Sequence, residues 1–157
     1  MRTTTLLAVT AIAVTASLSA CSDSKVYDHY EHTPLAGWEK NDLLSFSVPA
    51  AKEDGIYTTD LGLRINATYP FMGLTLIVDQ HIFPADTTVS DTLNCNLIDT
   101  DGHTRGQGVN FYQYQFHVGQ LPLHQGDSLQ VSVRHDMKRE ILPGISDIGL
   151  KVERVRE

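Results

Sequence analysis

From Leu43 to the C-terminus the dominant hydrophobic period is two. This is the pattern of strands that bury one face, and it constrains the fold more than any other feature. Leu61, Leu63 and Ile65 alternate with Gly62, Arg64 and Asn66, and Leu74, Leu76 and Val78 with Thr75, Ile77 and Asp79. The same holds for Leu93, Cys95 and Leu97, for Leu129, Val131 and Val133, and for Ile148, Leu150 and Val152. Turn-forming clusters separate these runs: Glu53-Asp54-Gly55, Thr68-Tyr69-Pro70, Pro84-Ala85-Asp86, Asp99-Thr100-Asp101-Gly102, Gln125-Gly126-Asp127 and Pro143-Gly144. No window sustains a 3.6-residue period. The expectation is an all-β fold, an antiparallel sandwich of about seven or eight strands over 41–157. A chain of 157 residues, 41% apolar and 20% charged, has room for one such domain.

The N-terminus carries an address. Arg2 precedes an apolar, Ala-rich stretch from Leu6 to Ala16, too short to span a bilayer, which needs about 20 apolar residues. It ends in Leu18-Ser19-Ala20-Cys21, the form of a lipobox. Cleavage between Ala20 and Cys21 removes a signal peptide, 1–20, and Cys21 receives lipid through its thiol. Loss of Arg2 lowers the formal charge from −7 to −8. Acyl chains on Cys21 then hold the protein on a membrane without spanning it. Residues 21–40, with Tyr27, Tyr30 and Trp38 among charges, read as a lipidated tether that docks onto the domain. Asp23 beside the lipid site is a partial match to a surface-export mark.

The acidic balance, 19 acidic against 12 basic residues, excludes a nucleic-acid partner, which would need a dense basic face. With Cys21 lipidated, Cys95 has no intramolecular disulfide partner and reads as a small buried residue. The seven histidines (His29, His32, His81, His103, His117, His124 and His135) fit no metal-ligand spacing and read as solvent-facing. Asp99-Thr100-Asp101-Gly102 opens like a calcium loop, but Asn110 stands where the closing Glu belongs, and a turn accounts for it. No G-x-S-x-G elbow is present, and Asp136, Glu140 and Asp147 read as solvated loop charges. The expectation is therefore no catalytic residues, no metal ligands and no cofactor. Phe111 reads as a core position, with Tyr112, Tyr114 and Phe116 on the opposite face of a doubly aromatic strand.

Several segments together resemble one family. They are Trp38 with its charged neighbours, Leu63-Arg64-Ile65-Asn66 into Tyr69-Pro70-Phe71, Leu74-Thr75-Leu76, Asp91-Thr92-Leu93, and Asp101-Gly102-His103 followed by Gly106-Gln107-Gly108. The most distinctive is Met137-Lys138-Arg139 through Leu142-Pro143-Gly144-Ile145-Ser146-Asp147-Ile148-Gly149-Leu150. In this order, and with the lipobox, they resemble the gliding-motility lipoprotein family of the GldH type, found in Bacteroidetes. Gly73 and Met137-Lys138 depart from residues common in the family.

The resemblance implies a non-enzymatic, lipid-anchored envelope protein that supports the gliding apparatus and its secretion machinery, with other envelope proteins as partners. The location it implies is the outer membrane facing the periplasm, with surface display as the variant. The alternative is a surface glycan-binding lipoprotein, since sandwich modules stack sugars on exposed rings. Tyr27, Tyr30, Trp38, Tyr112 and Tyr114 are the candidate partner or glycan contacts.

Overall fold

The computed structural model describes residues 24–156. Ten strands follow one another: β1 Lys25–His32, β2 Trp38–Glu39, β3 Leu44–Val48, β4 Gly55–Asn66, β5 Gly73–Phe83, β6 Thr87–Asn96, β7 Phe111–Leu123, β8 Ser128–His135, β9 Ile141–Leu142 and β10 Ile145–Arg154. Eight of them form two four-stranded sheets, ordered β1-β10-β4-β7 and β3-β8-β5-β6, and β2 pairs with β9 alone. Every neighbouring pair is antiparallel, as the alternating pattern requires.

The core lies between the two sheets and is built from the predicted alternations. Leu61, Leu63 and Ile65 face Leu74, Leu76 and Val78, and Leu129, Val131, Val133, Ile148, Leu150 and Val152 complete it. Cys95 is buried among them as expected, and burial pushes its thiol up to about 12. A thiol so disposed is not a reactive nucleophile.

Residues 25–39 depart from the tether expectation. β1 pairs along its length with β10, with Tyr30 opposite Gly149 and Asp28 opposite Lys151. Trp38, expected at a surface, is fully buried. Its indole Nε1 donates to the Asp42 carbonyl at 3.0 Å, and its ring meets His135 edge-on at 5.3 Å. β2 and β9 thereby close one end of the core, with Trp38 opposite the equally buried Leu142. The sandwich proper begins at Lys25, because a half-buried edge strand and a buried indole bury surface that a free tether would leave in water.

The connections sort by end. Residues 49–54, 84–86 and 124–127 lie at the end where β1 starts, the first and last of these joined by Ala51 N–H to the Asp127 carbonyl and Gly126 N–H to the Ala51 carbonyl, both 2.8 Å. The other connections, 33–43, 67–72, 97–110 and 136–144, all lie at the opposite end. We call these the N-terminal end and the loop end.

Candidate interaction surfaces

The outer face of the β1-β10-β4-β7 sheet is organised around two glycines. Tyr30, Gly149, Gly62 and Gln115 stand in one row across the four strands. The missing side chains at Gly62 and Gly149 leave a trough in which the Tyr30 ring lies. A Cβ on Gly149 would come within 2.6 Å of that ring, and one on Gly62 within 2.3 Å of its hydroxyl. Arg64 caps the ring at 3.9 Å from its centroid, and Gln113 Nε2 donates to the Tyr30 hydroxyl at 3.3 Å. In the adjacent row Asp60 meets His117 at 2.9 Å and Lys151 at 3.7 Å. Tyr30 thus clasps the edge strand to the sheet, its half-buried ring lining a shallow hollow with Asp60, Gln113 and Gln115.

Other candidate residues have different fates. Tyr27 packs half-buried against the core, and burial, then the nearby Glu31 carboxylate, raises its phenol above the ordinary range. Tyr112 is half-buried. Tyr114 is 7% exposed and faces the core. Its hydroxyl donates to the Leu97 carbonyl at 3.1 Å and sits 2.8 Å from the Thr104 hydroxyl. Trp38 is therefore corrected: its ring offers no face to a sugar or a partner, whereas Tyr114, mostly buried, keeps an edge on the groove described below. Phe111, expected in the core, is 56% exposed, because it shares the outer face with Gln113 and Gln115, while Tyr112 and Tyr114 pair with the inward Ile65 and Leu63. Ala20, Cys21 and Asp23 lie outside the described residues.

His135 corrects the expectation of solvent-facing histidines. It continues the inward series Leu129, Val131, Val133 and is fully buried. Nε2 donates to the Trp38 carbonyl at 3.1 Å and Nδ1 accepts from Met137 N–H at 3.4 Å, so both nitrogens fit the neutral ring. Burial pushes its pKa down, against the opposing pull of the Trp38 carbonyl.

Asp99, Asp101 and His103 bring ligand atoms within 4.8 Å of one another. Asp99 Oδ1, however, accepts the N–H groups of Asp101 and His103, each at 2.9 Å, and Gly102 adopts φ +84°, as the turn reading requires. Asp136 pairs with Lys40 at 3.7 Å, whereas Asp147 accepts from Ser146 and contacts His32, so these carboxylates serve different partners.

Two surfaces were missed in the sequence. At the flank between β6 and β7 an open groove of about 540 Å³ is lined by Asn94, Asn96, Gln107, Gln113 and Gln115, with Arg105 and the rings of Tyr114 and Phe116. Arg105 makes no side-chain hydrogen bond or ion pair among the described residues. At the loop end, six large apolar side chains face solvent: Leu35, Leu43, Met72, Val109, Phe111 and Ile141. The other three such residues among those described, Ile56, Phe83 and Val155, lie at the N-terminal end. Apolar exposure concentrated on long connections marks an interaction surface.

Fold and surfaces together define a class: an antiparallel β-sandwich with an apolar loop end, whose N-terminal strand is built into a sheet edge. The GldH lipoprotein model matches residues 25–152. The chain belongs to the GldH lipoprotein family. It is 28% identical to the gliding motility lipoprotein GldH of Flavobacterium johnsoniae, over 87% of this chain and 89% of that protein. Among solved structures, a family GH115 4-O-methyl-α-glucuronidase aligns with 90% of this chain at TM-score 0.43 and 15% identity, and the chain spans 19% of that enzyme. A protein from Sulfurospirillum deleyianum aligns with 83% of this chain and 99% of its own at TM-score 0.44 and 10% identity.

Proposed function

We propose that this protein is a lipid-anchored, non-catalytic part of an envelope complex serving gliding motility and its associated secretion. It is held at Cys21 in the outer membrane, facing the periplasm, and grips another envelope protein through its loop end. Family membership and the similarity to a gliding motility lipoprotein support the setting. The observation that carries the docking assignment is the gathering of Leu35, Leu43, Met72, Val109, Phe111 and Ile141 on that end. Large apolar side chains in water cost free energy that a partner recovers by covering them, at about 25 cal/mol per Å² buried.

The test is co-purification from detergent extracts after gentle crosslinking, comparing wild type with Leu35→Asp/Phe111→Asp. Both residues are exposed, so the variant is expected to fold and to float with membranes while losing its co-purifying envelope proteins. Unchanged co-purification would overturn the assignment of the loop end.

The flank groove supports a second reading, the binding of a glycan. Amide side chains match the paired donors and acceptors of sugar hydroxyls, and Arg105 suits an acidic sugar. Glycan-array binding that disappears in Arg105→Ala/Gln115→Ala would move the assignment to this groove.

A further inference from the structure

We propose that the N-terminal end of the sandwich is seated on the membrane surface and holds anionic phospholipid headgroups in a basic hollow beside Lys52 and Arg156. This rests on the anchor at Cys21. Ser24 is fixed to the fold, since its carbonyl accepts Arg154 N–H at 2.8 Å. Only residues 22 and 23 separate it from the lipidated position. Three extended residues reach about 11 Å, so the end that carries Ser24 stays within that distance of the lipid.

The chemistry of this end suits such a surface. Among the described residues, a hollow of about 450 Å³ is lined by Lys25, Lys52, Arg154 and Arg156 against a single carboxylate, Glu53, in a chain whose net charge is −7. Arg154 is held by Glu53 at 2.9 Å and by the Asp54 carbonyl, and Lys25 by Asp28 at 2.9 Å. Lys52 and Arg156 make no hydrogen bond or ion pair among the described residues. The other acids described at this end are engaged: Asp54 accepts Gln125 N–H at 2.7 Å, Asp127 accepts His124 N–H at 2.8 Å, Asp86 lies 3.1 Å from His81, and Glu153 lies 3.3 Å from Lys151. Ile56, Phe83 and Val155, exposed at the same end, add the apolar contacts that an interfacial surface uses beside its cations.

Seating this end also fixes which way the molecule points. The loop end, at the far side of the sandwich, then faces away from the bilayer with its apolar residues open to a partner.

The experiment uses the lipidated mature protein in vesicles of phosphatidylcholine alone or mixed with phosphatidylglycerol. Hydrogen exchange of 49–56 and 152–156 is followed by mass spectrometry, and flotation in high salt reports the anchor separately. Exchange at these segments is expected to slow by about an order of magnitude on the anionic vesicles and to recover in high salt, where screening weakens the attraction. Lys52→Gln/Arg156→Gln, at about a fivefold loss per cation, should weaken docking by about 25-fold while flotation persists. Equal exchange on both vesicles, or protection confined to 33–43 and 97–110, would overturn the proposal. Loss of flotation in high salt would instead remove the anchor, and charge-dependent protection at low salt would still uphold the headgroup site.

Discussion

Replacing Trp38 by Ala should cost more stability than any single change in the two long sheets' outer faces. The side chain is fully buried, it packs edge-on against His135, and its Nε1 donates to the Asp42 carbonyl. Truncating a buried Trp costs about 3–5 kcal/mol, and the Asp42 carbonyl loses a partner worth about 1 kcal/mol. A total of about 4–6 kcal/mol is a large share of the roughly 5–15 kcal/mol that a domain holds in reserve. At this chain length it corresponds to a fall in Tm of about 12–24 °C. The assay is thermal unfolding followed by near-ultraviolet circular dichroism, with Trp38→Phe as a milder variant should Trp38→Ala fail to fold. The chain contains one Trp, so its fluorescence reports this site alone. Emission of the folded wild type should resist quenching by acrylamide. Free quenching, with a Tm shift below about 3 °C in Trp38→Ala, would mean that residues 25–39 are a tether after all.

Three further outcomes follow from the same geometry. Gly149→Val should destabilise by about 1–2 kcal/mol by displacing the Tyr30 ring and its contact with Arg64. The cost should shrink in a Tyr30→Ala background, and additive penalties in a double-mutant cycle would refute the clasp. The buried His135, with its pKa below that of the unfolded chain, binds a proton later on acidification than the unfolded state does. Stability should therefore be fully present above about pH 6.5 and fall by up to about 1.4 kcal/mol per unit as pH drops toward the folded value; denaturant titrations should show this extra slope vanish in His135→Gln. Tyr114→Phe should cost about 1–2 kcal/mol in urea unfolding, because the Leu97 carbonyl and the Thr104 hydroxyl lose their partner.

Much of the sandwich was legible because its inner faces alternate strictly. Leu61-Leu63-Ile65 and Leu129-Val131-Val133 can face only one way without leaving apolar rows in water. β1 was illegible for the opposite reason. Lys25, Asp28, Glu31 and the histidines mask its period, and its place is set by pairing with β10 and by a ring resting on glycines of two other strands. β2 and β9, two residues each, are too short to show a period at all.

His135 was readable in hindsight from parity, since it extends an inward series by one step. Phe111 was misplaced because aromatics on both faces left the strand's parity open, whereas the register pairs Tyr112 and Tyr114 with the inward Ile65 and Leu63 and turns Phe111 outward beside Asn66. The apolar loop end was beyond reach of the sequence. Leu35, Leu43, Met72, Val109 and Ile141 lie in or beside four separate connections, and only the strand order brings those connections to one side. The flank groove likewise draws on β6, β7 and the loop between them.

The most direct measurement is site-specific photocrosslinking in living cells. A photoreactive amino acid would stand at Leu35, Val109 or Phe111 on the loop end, and at Thr92 on β6 or Lys151 on the outer sheet face as comparison sites. The account predicts strong crosslinks to an envelope protein from the three loop-end positions and weak or none from the other two. Crosslinks of equal strength at all five positions, or only from Thr92 and Lys151, would contradict docking through the loop end.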